Sequence, residues 1–409
     1  MKIISADYLL PMDDKDSVIQ NGAVAYTDKI IEISSDTAAI CAKYPDAEFF
    51  YCGKNSVLMP SLINPHLHLE FSADKTSFRY GNFIEWLSSV IKKRGGVSEK
   101  KLISAMQKEL NNLKKTGVGA VGAVSSFGKD MEILASSPLR VIYFVEILGT
   151  SKERFEGAKN GFLQRFEIAE SKNSDRFEAA VSVHSPYSCS PEIVDFGVEF
   201  AKQNSLKMTT HFLESEAERA WLEGSSGEFL PFFGSVFGLQ TSFFTPDGFL
   251  KKFDGLKTLF VHCTNTTPDE IKKIKDSGSD IVHCPVSNRL LGQKLFGLKT
   301  ATELAVRPAI GTDGLSSNFS LSMWNELRCA LFGYDDIDLK ILPFLLLKSV
   351  TANGAEALGI ESGILREGKN ADMIAFRLPD RPDGVDCVAL QAILHTDKVD
   401  KLIISGEVI

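Results

Sequence analysis

Eight apolar runs recur through the middle of the chain: VLMPSLIN, GVGAVGAV, RVIYFVEI, EAAVSVH, LKMTTHF, TLFVHC, DIVHCP and RPAIGTD. Between most of them lie stretches of helical period, such as EIVDFGVEFAKQN before the fifth run and DEIKKIKDSG before the seventh. Eight strands alternating with helices predict an α/β fold, a (β/α)8 barrel. Pro60 interrupts the first run and leaves the boundary of that strand open.

Both ends of the chain follow another pattern. Residues 1 to 56 alternate in short bursts (KIISADYLL, GAVAYTDKIIEI, EFFYCGKN), and the tail does the same in ADMIAFRL and KVDKLIISGEVI. These predict one small β-sandwich assembled from 1–56 and 356–409, with the barrel domain, 57–355, between its two parts. The stretch from 223 to 247 is rich in Gly, Phe and Ser and reads as a loop over the active-site mouth.

Composition removes several classes of function. The chain of 409 residues is 44% hydrophobic, which suits a buried core, and its formal charge is -8. A nucleic-acid partner requires concentrated Lys and Arg, and the short basic runs, Lys92 to Arg94 and Lys114–Lys115, read as solvated helix faces. No window approaches the roughly 18 consecutive apolar residues of a membrane span, so no membrane partner is expected. The opening MKIISADYLLPMDDKD turns acidic at once, unlike a secretory or transit segment. Seven scattered cysteines without a CxxC pair suit free thiols in a reducing cytosol, and the expected location is cytoplasmic.

In such a barrel the chemistry sits at the C-terminal ends of the strands. The first run ends in His66 and His68, the fourth in His184, the fifth in His211, the sixth in His262, the seventh in His283 and the eighth in Asp313. Taken singly, each histidine is as readily a hydrogen-bonded core or surface residue. Six of the chain's seven in that register are not explained by independent placement. Residues two apart on a strand share a face, so His66 and His68 present two imidazoles side by side. Imidazole nitrogen and carboxylate oxygen commonly hold zinc, with one position left open for water at a catalytic site. His66, His68, His211 and Asp313 supply three nitrogens and one oxygen. No lysine ends the fourth strand, where a carboxylated lysine would bridge two ions, so one divalent metal is expected: zinc, with iron as the alternative. Glu214 follows His211 by three residues, which is not the HExxH spacing of helical zinc proteases. A turn after the fifth strand would bring its carboxylate over the water, where it could move protons; its bland use is as a helix N-terminal acid. Cys263 and Cys284 directly follow His262 and His283, so alternation turns both away from the barrel interior. His283 is assigned to ordering the seventh loop.

The motifs MPSLINPHLHLE, HSPYSCS, TTHFLES, FVHCT, HCPVSNRLLG, GTDGLSSN and TANGAEALGIESGILREGKNADMIAF, in this order, resemble the amidohydrolase superfamily in its chlorohydrolase and adenosine-type deaminase branch. That resemblance implies that His66, His68, His211 and Asp313 bind the metal, that Glu214 shuttles protons and that His262 orients the hydrolytic water, with Asp313 helping to align it. HSPYSCS is similar to the deaminases of methylthioadenosine and S-adenosylhomocysteine, in which the residue matching His184 contacts substrate; Glu85, in NFIEWL, matches an acid that binds ribose hydroxyls. Two departures are Ser61, where the branch usually has Gly, and Arg289, where an apolar residue is commoner.

Motif order, length and short termini look closest to the 6-amino-6-deoxyfutalosine deaminases of the futalosine route to menaquinone. The resemblance thus implies hydrolytic deamination of an adenine-type nucleoside and a homodimer or larger assembly. The benzoate of that substrate calls for a cation, and Arg154 and Arg289 are the candidates, although surface ion pairing is the commoner use of arginine. The alternatives are a methylthioadenosine or S-adenosylhomocysteine deaminase, then guanine deamination or s-triazine hydrolysis. A catalytically silent scaffold is a different class, but such a barrel would be expected to have lost its ligands.

Overall fold

The structure is a computed structural model that describes residues 1–93 and 96–409, so Arg94 of the first basic run lies outside the described residues. The chain opens with β1 (Lys2–Leu9), β2 (Ile19–Tyr26), β3 (Ile30–Ser34), β4 (Glu48–Tyr51) and β5 (Ser56–Pro60). Then come β6 (Leu62–Leu67), β7 (Val118–Ser125), β8 (Arg140–Ile147), β9 (Phe177–Val183), β10 (Met208–Phe212), β11 (Thr258–His262), β12 (Asp280–His283) and β13 (Ala309–Ile310). β14 (Met373–Arg377), β15 (Lys401–Ile404) and β16 (Glu407–Val408) complete it.

Strands β6 to β13 lie side by side in chain order, each parallel to the next. This is the predicted barrel, with helices such as Phe155–Glu170 and Pro191–Gln203 in the crossovers. Period-two alternation sorts each strand between two cores. Ile63, Ala120, Val124, Ile142, Phe144, Ala180, Leu259, Val261, Val282 and Ala309 fill the interior, and Ala355 and Leu358 of the helix Ala352–Leu358 join them from below. Tyr143, Val145, Val181, Phe260 and Ile281 face outward into the layer shared with the helices. Each such buried Val, Ile or Phe contributes about 1.5–3 kcal/mol of burial.

Between β13 and β6 the barrel closes through side chains and loop amides. Asn64 Nδ2 donates to Thr312 Oγ1 at 2.7 Å, Thr312 N donates to Asn64 Oδ1 at 3.1 Å, and the amides of Thr312 and Asp313 both donate to the His66 carbonyl at 3.1 Å. The terminal strands form a separate mixed sheet in the order β16-β15-β14-β5-β1-β2-β3, with β4 parallel to β1. A part-buried Arg140–Asp372 ion pair at 2.6 Å joins it to the barrel. Among the described residues no helix is long and apolar enough to cross a membrane.

Three expectations change. The run VLMPSLIN is two strands: Pro60 ends β5, which pairs with β14 in the terminal sheet, and the barrel strand starts at Leu62. Proline has no N–H to continue a ladder, and the next amide, Ser61 N, donates to the Asp372 carbonyl of the terminal sheet. The stretch 223–247 is not a loop throughout, because Phe229–Val236 is helical and buries Phe229 and Phe233 against Tyr187. Pro231 lies in its first turn, where a missing N–H is harmless. Cys263 packs in the outer layer as alternation requires, but Cys284 belongs to the interior cluster, in step with Val282.

Candidate active site

At the top of the barrel the pairing of β6 with β7 shifts register between Asn64 and Leu67. That irregularity turns Leu67 to the outer layer and both His66 and His68 inward, with ring centroids 4.9 Å apart. Opposite them the chain after β13 approaches very closely. A Cβ on Gly311 would stand 2.9 Å from the His66 Cβ and carbonyl oxygen, so only glycine lets Asp313 come this near the histidines.

His66, His68 and His211 offer ring nitrogens within 4.8 Å of one another. His68 Nε2 and His211 Nε2 face each other at 3.3 Å, and Asp313 Oδ1 lies 3.7 Å from His66 Nε2 and 3.5 Å from His68 Nε2. His211 Nδ1 donates to the His184 carbonyl at 2.8 Å, which leaves the lone pair on Nε2. Burial depresses the pKa of His66 and His211, so both rings are neutral and able to act as ligands near pH 7. Both ring nitrogens of His66 are buried without a hydrogen-bond partner. Unpaired buried nitrogens around a carboxylate are costly unless an ion engages them, and the donor set, three imidazoles and a carboxylate, fits a divalent metal.

Asp313 is fixed from three sides. Its Oδ2 accepts from Ser287 Oγ at 2.8 Å and Ser317 Oγ at 2.6 Å, and its Oδ1 from Gly314 N at 2.8 Å. Burial pushes its pKa up, but the His66 contact and the His68 and His262 rings hold it well below the usual carboxylate range. His262 Nδ1 donates to Asn288 Oδ1 at 3.0 Å, and burial lowers the ring to about 4. Its bare Nε2 stands 3.6 Å from Glu214 Oε1. Leu213 (φ 49°), His262 (φ 71°) and Asp313 (φ 59°) all adopt left-handed backbone, at about 1–3 kcal/mol each.

Glu214 is buried, and burial, with Asp313 and Glu218 nearby, raises its pKa well above the ordinary range. It is suited to hold a proton at neutral pH. Glu218 accepts from the amides of Leu213 and Glu214, both at 2.8 Å, and so fixes the turn that aims Glu214.

Beside His184 opens a cavity of about 690 Å³ with Leu87, Ile91, Leu148, Tyr187, Phe233 and Phe237 in its walls and Arg154 at its rim. Phe233 and Phe237 lie in the stretch expected to cover the mouth. Glu85 is exposed near the start of the helix Phe83–Lys93, 3.7 Å from Arg79 Nη1, and is not gathered to the histidine–aspartate cluster. Its helix is nonetheless held across the mouth, because Trp86 Nε1 donates to the Ser316 carbonyl at 2.8 Å. Arg289 is exposed on Pro285–Leu290 and does not line the cavity. His283 contacts Tyr334 Oη through Nδ1 at 3.3 Å and packs on Phe296, outside the cluster.

Sequence reasoning missed Asn64, Ser287, Asn288, Ser317 and Glu218, which orient the cluster. Nothing marks them singly, since each acts on a partner far away in sequence. It also missed Glu146, at the end of RVIYFVEI, for which a signal existed: the inward column Ile142, Phe144 continues to it.

The amidohydrolase family model matches residues 57–409. Aminodeoxyfutalosine deaminase from Nitratiruptor sp. is 39% identical over 391 residues, 96% of each chain. Adenosine deaminase from Helicobacter pylori is 34% identical over 415 residues, 99% of each. The crystal structure of Helicobacter pylori aminofutalosine deaminase in complex with methylthio-coformycin superposes with TM-score 0.95 at 33% identity, covering 100% of both chains. An adenosine deaminase from Xanthomonas campestris with bound zinc gives TM-score 0.83 at 21% identity over 99% of this chain and 92% of that one, a likeness of fold.

Proposed function

The chain belongs to the amidohydrolase family, and from that premise we propose that it hydrolytically deaminates 6-amino-6-deoxyfutalosine to futalosine and ammonia, a step of menaquinone biosynthesis. The observation that carries this reading is the continuity of the His66–His68–His211–Asp313 cluster, through His184, with an apolar cavity that has Arg154 at its rim. An adenine over the cluster would extend its ribose tail into that cavity, where aryl walls suit a benzoate ring and a guanidinium suits its carboxylate. The likeness to a relative with that activity supports the same substrate.

His66, His68, His211 and Asp313 would hold one divalent ion, zinc or, as the alternative, iron. When bound, such an ion lowers the pKa of a water toward about 7. Glu214 relays a proton between the hydrolytic water and ring N1, which makes C6 electrophilic. His262, its Nδ1 held by Asn288, presents Nε2 to the water and fixes its approach, while Asp313 aligns it from the other side. A bond forms from the water oxygen to C6. A second proton, from the hydroxyl now on C6, then reaches the 6-amino group, the C6–N bond breaks, and ammonia leaves a 6-oxopurine. His184 contacts the purine or its sugar, and Glu85, on the helix across the mouth, reaches the ribose hydroxyls. Assembly as a homodimer or larger and a cytoplasmic location complete the proposal.

A second reading, a deaminase of methylthioadenosine, S-adenosylhomocysteine or adenosine, is favoured by the relative that is an adenosine deaminase and the one crystallised with methylthio-coformycin. Ammonia release and the adenine-to-hypoxanthine ultraviolet change, measured side by side on aminodeoxyfutalosine, methylthioadenosine, S-adenosylhomocysteine, adenosine and guanine, separate the two. A kcat/KM preference of about 100-fold, or ~2.7 kcal/mol, for aminodeoxyfutalosine supports the first reading. Preference for the other adenine nucleosides supports the second, and inactivity on all five overturns both.

A further inference from the structure

Glu146 is a polar side chain at the top of the barrel interior that neither the ligand set nor the proton path uses. It points inward after Ile142 and Phe144 and is 1% exposed. Ser126 Oγ donates to its Oε2, whereas its Oε1 is buried with no hydrogen-bond partner. One carboxylate oxygen of Glu146 and ring nitrogens of His184 and His211 lie within 4.8 Å of one another. That trio is not a complete second cation site. His211 is committed through Nε2 to the cluster with His66 and His68, and through Nδ1 to the His184 carbonyl. Glu146 and His184 alone would give an ion two protein ligands, one fewer than an open catalytic site normally has.

The carboxylate is instead a fixed charge. Its Oε1 is buried and unpaired, one of its oxygens lies within 4.8 Å of ring nitrogens of His184 and His211, and a cation held at His211 would favour the charged form of a carboxylate so placed. A divalent cation on three neutral imidazoles and Asp313 carries one uncompensated positive charge in a water-poor site, which is unfavourable. One further carboxylate beside His211 offsets that charge in part, shared with the Arg165 guanidinium, which donates to the Glu146 carbonyl oxygen at 2.6 Å.

We infer that Glu146 is a positioning residue for the metal centre: it raises the affinity of the His66–His68–His211–Asp313 set for a divalent cation without ligating it. The inference rests on the metal-dependent reading proposed above. Groups just outside a ligand set typically change metal affinity by about 10–100-fold, and that is the size expected here.

The test is zinc affinity, by competition with a chelator, for the wild type, Glu146→Gln, Glu146→Asp and His211→Ala, with the thermal stability of each metal-free protein measured in parallel. The expected pattern is one zinc per chain in the wild type, binding weakened ~10–100-fold in Glu146→Gln, largely restored in Glu146→Asp, and abolished in His211→Ala. The metal-free Gln variant should be no less stable than wild type, so a purely structural role would not produce the pattern. Unchanged zinc affinity in Glu146→Gln, with His211→Ala still unable to bind, overturns the inference and leaves the metal-dependent reading standing. A second zinc in the wild type that disappears in Glu146→Gln also overturns it, because Glu146 would then be a ligand. A wild type that binds no divalent metal overturns the metal-dependent reading and the inference with it. If the Gln variant does not fold, Ser126→Ala, which releases the carboxylate from its hydrogen bond, should weaken zinc binding in the same direction; unchanged affinity there overturns the inference.

Discussion

Replacing Glu214 by Gln keeps the shape of the side chain and removes only its ability to exchange a proton. General acid–base catalysis contributes about 10²–10⁴ in rate, or roughly 2.7–5.4 kcal/mol of barrier. The geometry argues for the upper end, because the neighbouring carboxylates are already engaged. Asp313 accepts three hydrogen bonds and is held ionised, and Glu218 accepts two backbone amides. Among the described residues His262, 3.6 Å away, is the neighbour that could take over part of the work, and burial lowers its ring to about 4, so it is a poor proton carrier near neutrality. We therefore expect kcat to fall by about 10⁴, read from ammonia release on the preferred nucleoside. Metal content, by elemental analysis, should stay at the wild-type level, and thermal stability should not drop, since the amide is uncharged like the protonated acid that burial and two carboxylates favour. Turnover within tenfold of wild type would refute the proton-shuttle role. Loss of metal would refute it differently, by making Glu214 a ligand alongside His262 and Asp313, with which it shares a 4.8 Å cluster.

The remaining predictions concern the seam, the substrate tail and pH. Asn64→Ala removes two buried hydrogen bonds across the β13–β6 seam, while the Thr312 amide keeps its bond to the His66 carbonyl; about 1–3 kcal/mol of stability should be lost in urea unfolding, and a change below ~0.5 kcal/mol would contradict the seam argument. Arg154→Met should raise KM for aminodeoxyfutalosine about 10–100-fold, the worth of a charged hydrogen bond, and leave methylthioadenosine unaffected, whereas Arg289→Met should change neither. Equal effects of Arg154→Met on both substrates would remove it from tail recognition. Burial holds the His283 ring at about 3, below its usual 6.5. As pH falls the unfolded chain takes up this proton first, so the stabilisation is intact above pH 6.5 and is lost between there and about 3. Between pH 7 and 5 the loss from this one group is about 2 kcal/mol, and His283→Gln should flatten the stability profile by that amount; an unchanged slope would show that the ring titrates normally.

The parts of this molecule legible in its sequence are those that period and strand position determine. Apolar runs separated by helical stretches require a parallel sheet with covered faces, and chemistry then collects where the strands end, which is why His66, His68, His211 and Asp313 could be named before any distance was known. What the sequence hid follows from departures from that period. Strict alternation after Leu259 and Val261 would turn His262 outward; the left-handed backbone at residue 262 turns its ring in instead. The same alternation after Ile63 would bury Leu67 in the barrel and expel the histidines, and the irregular pairing of β6 reverses it. Only where the period holds, at Ile142, Phe144 and Glu146, was an unnoticed interior residue there to be read. Three left-handed residues, Leu213, His262 and Asp313, belong to the cluster or adjoin it, where packing from the rest of the barrel can hold a conformation that the local sequence disfavours. A barrel stabilised by its own interior can bear a few kcal/mol of such strain at one end. The strain then does specific work: it aims an imidazole and a carboxylate at a point that a regular strand would have left empty.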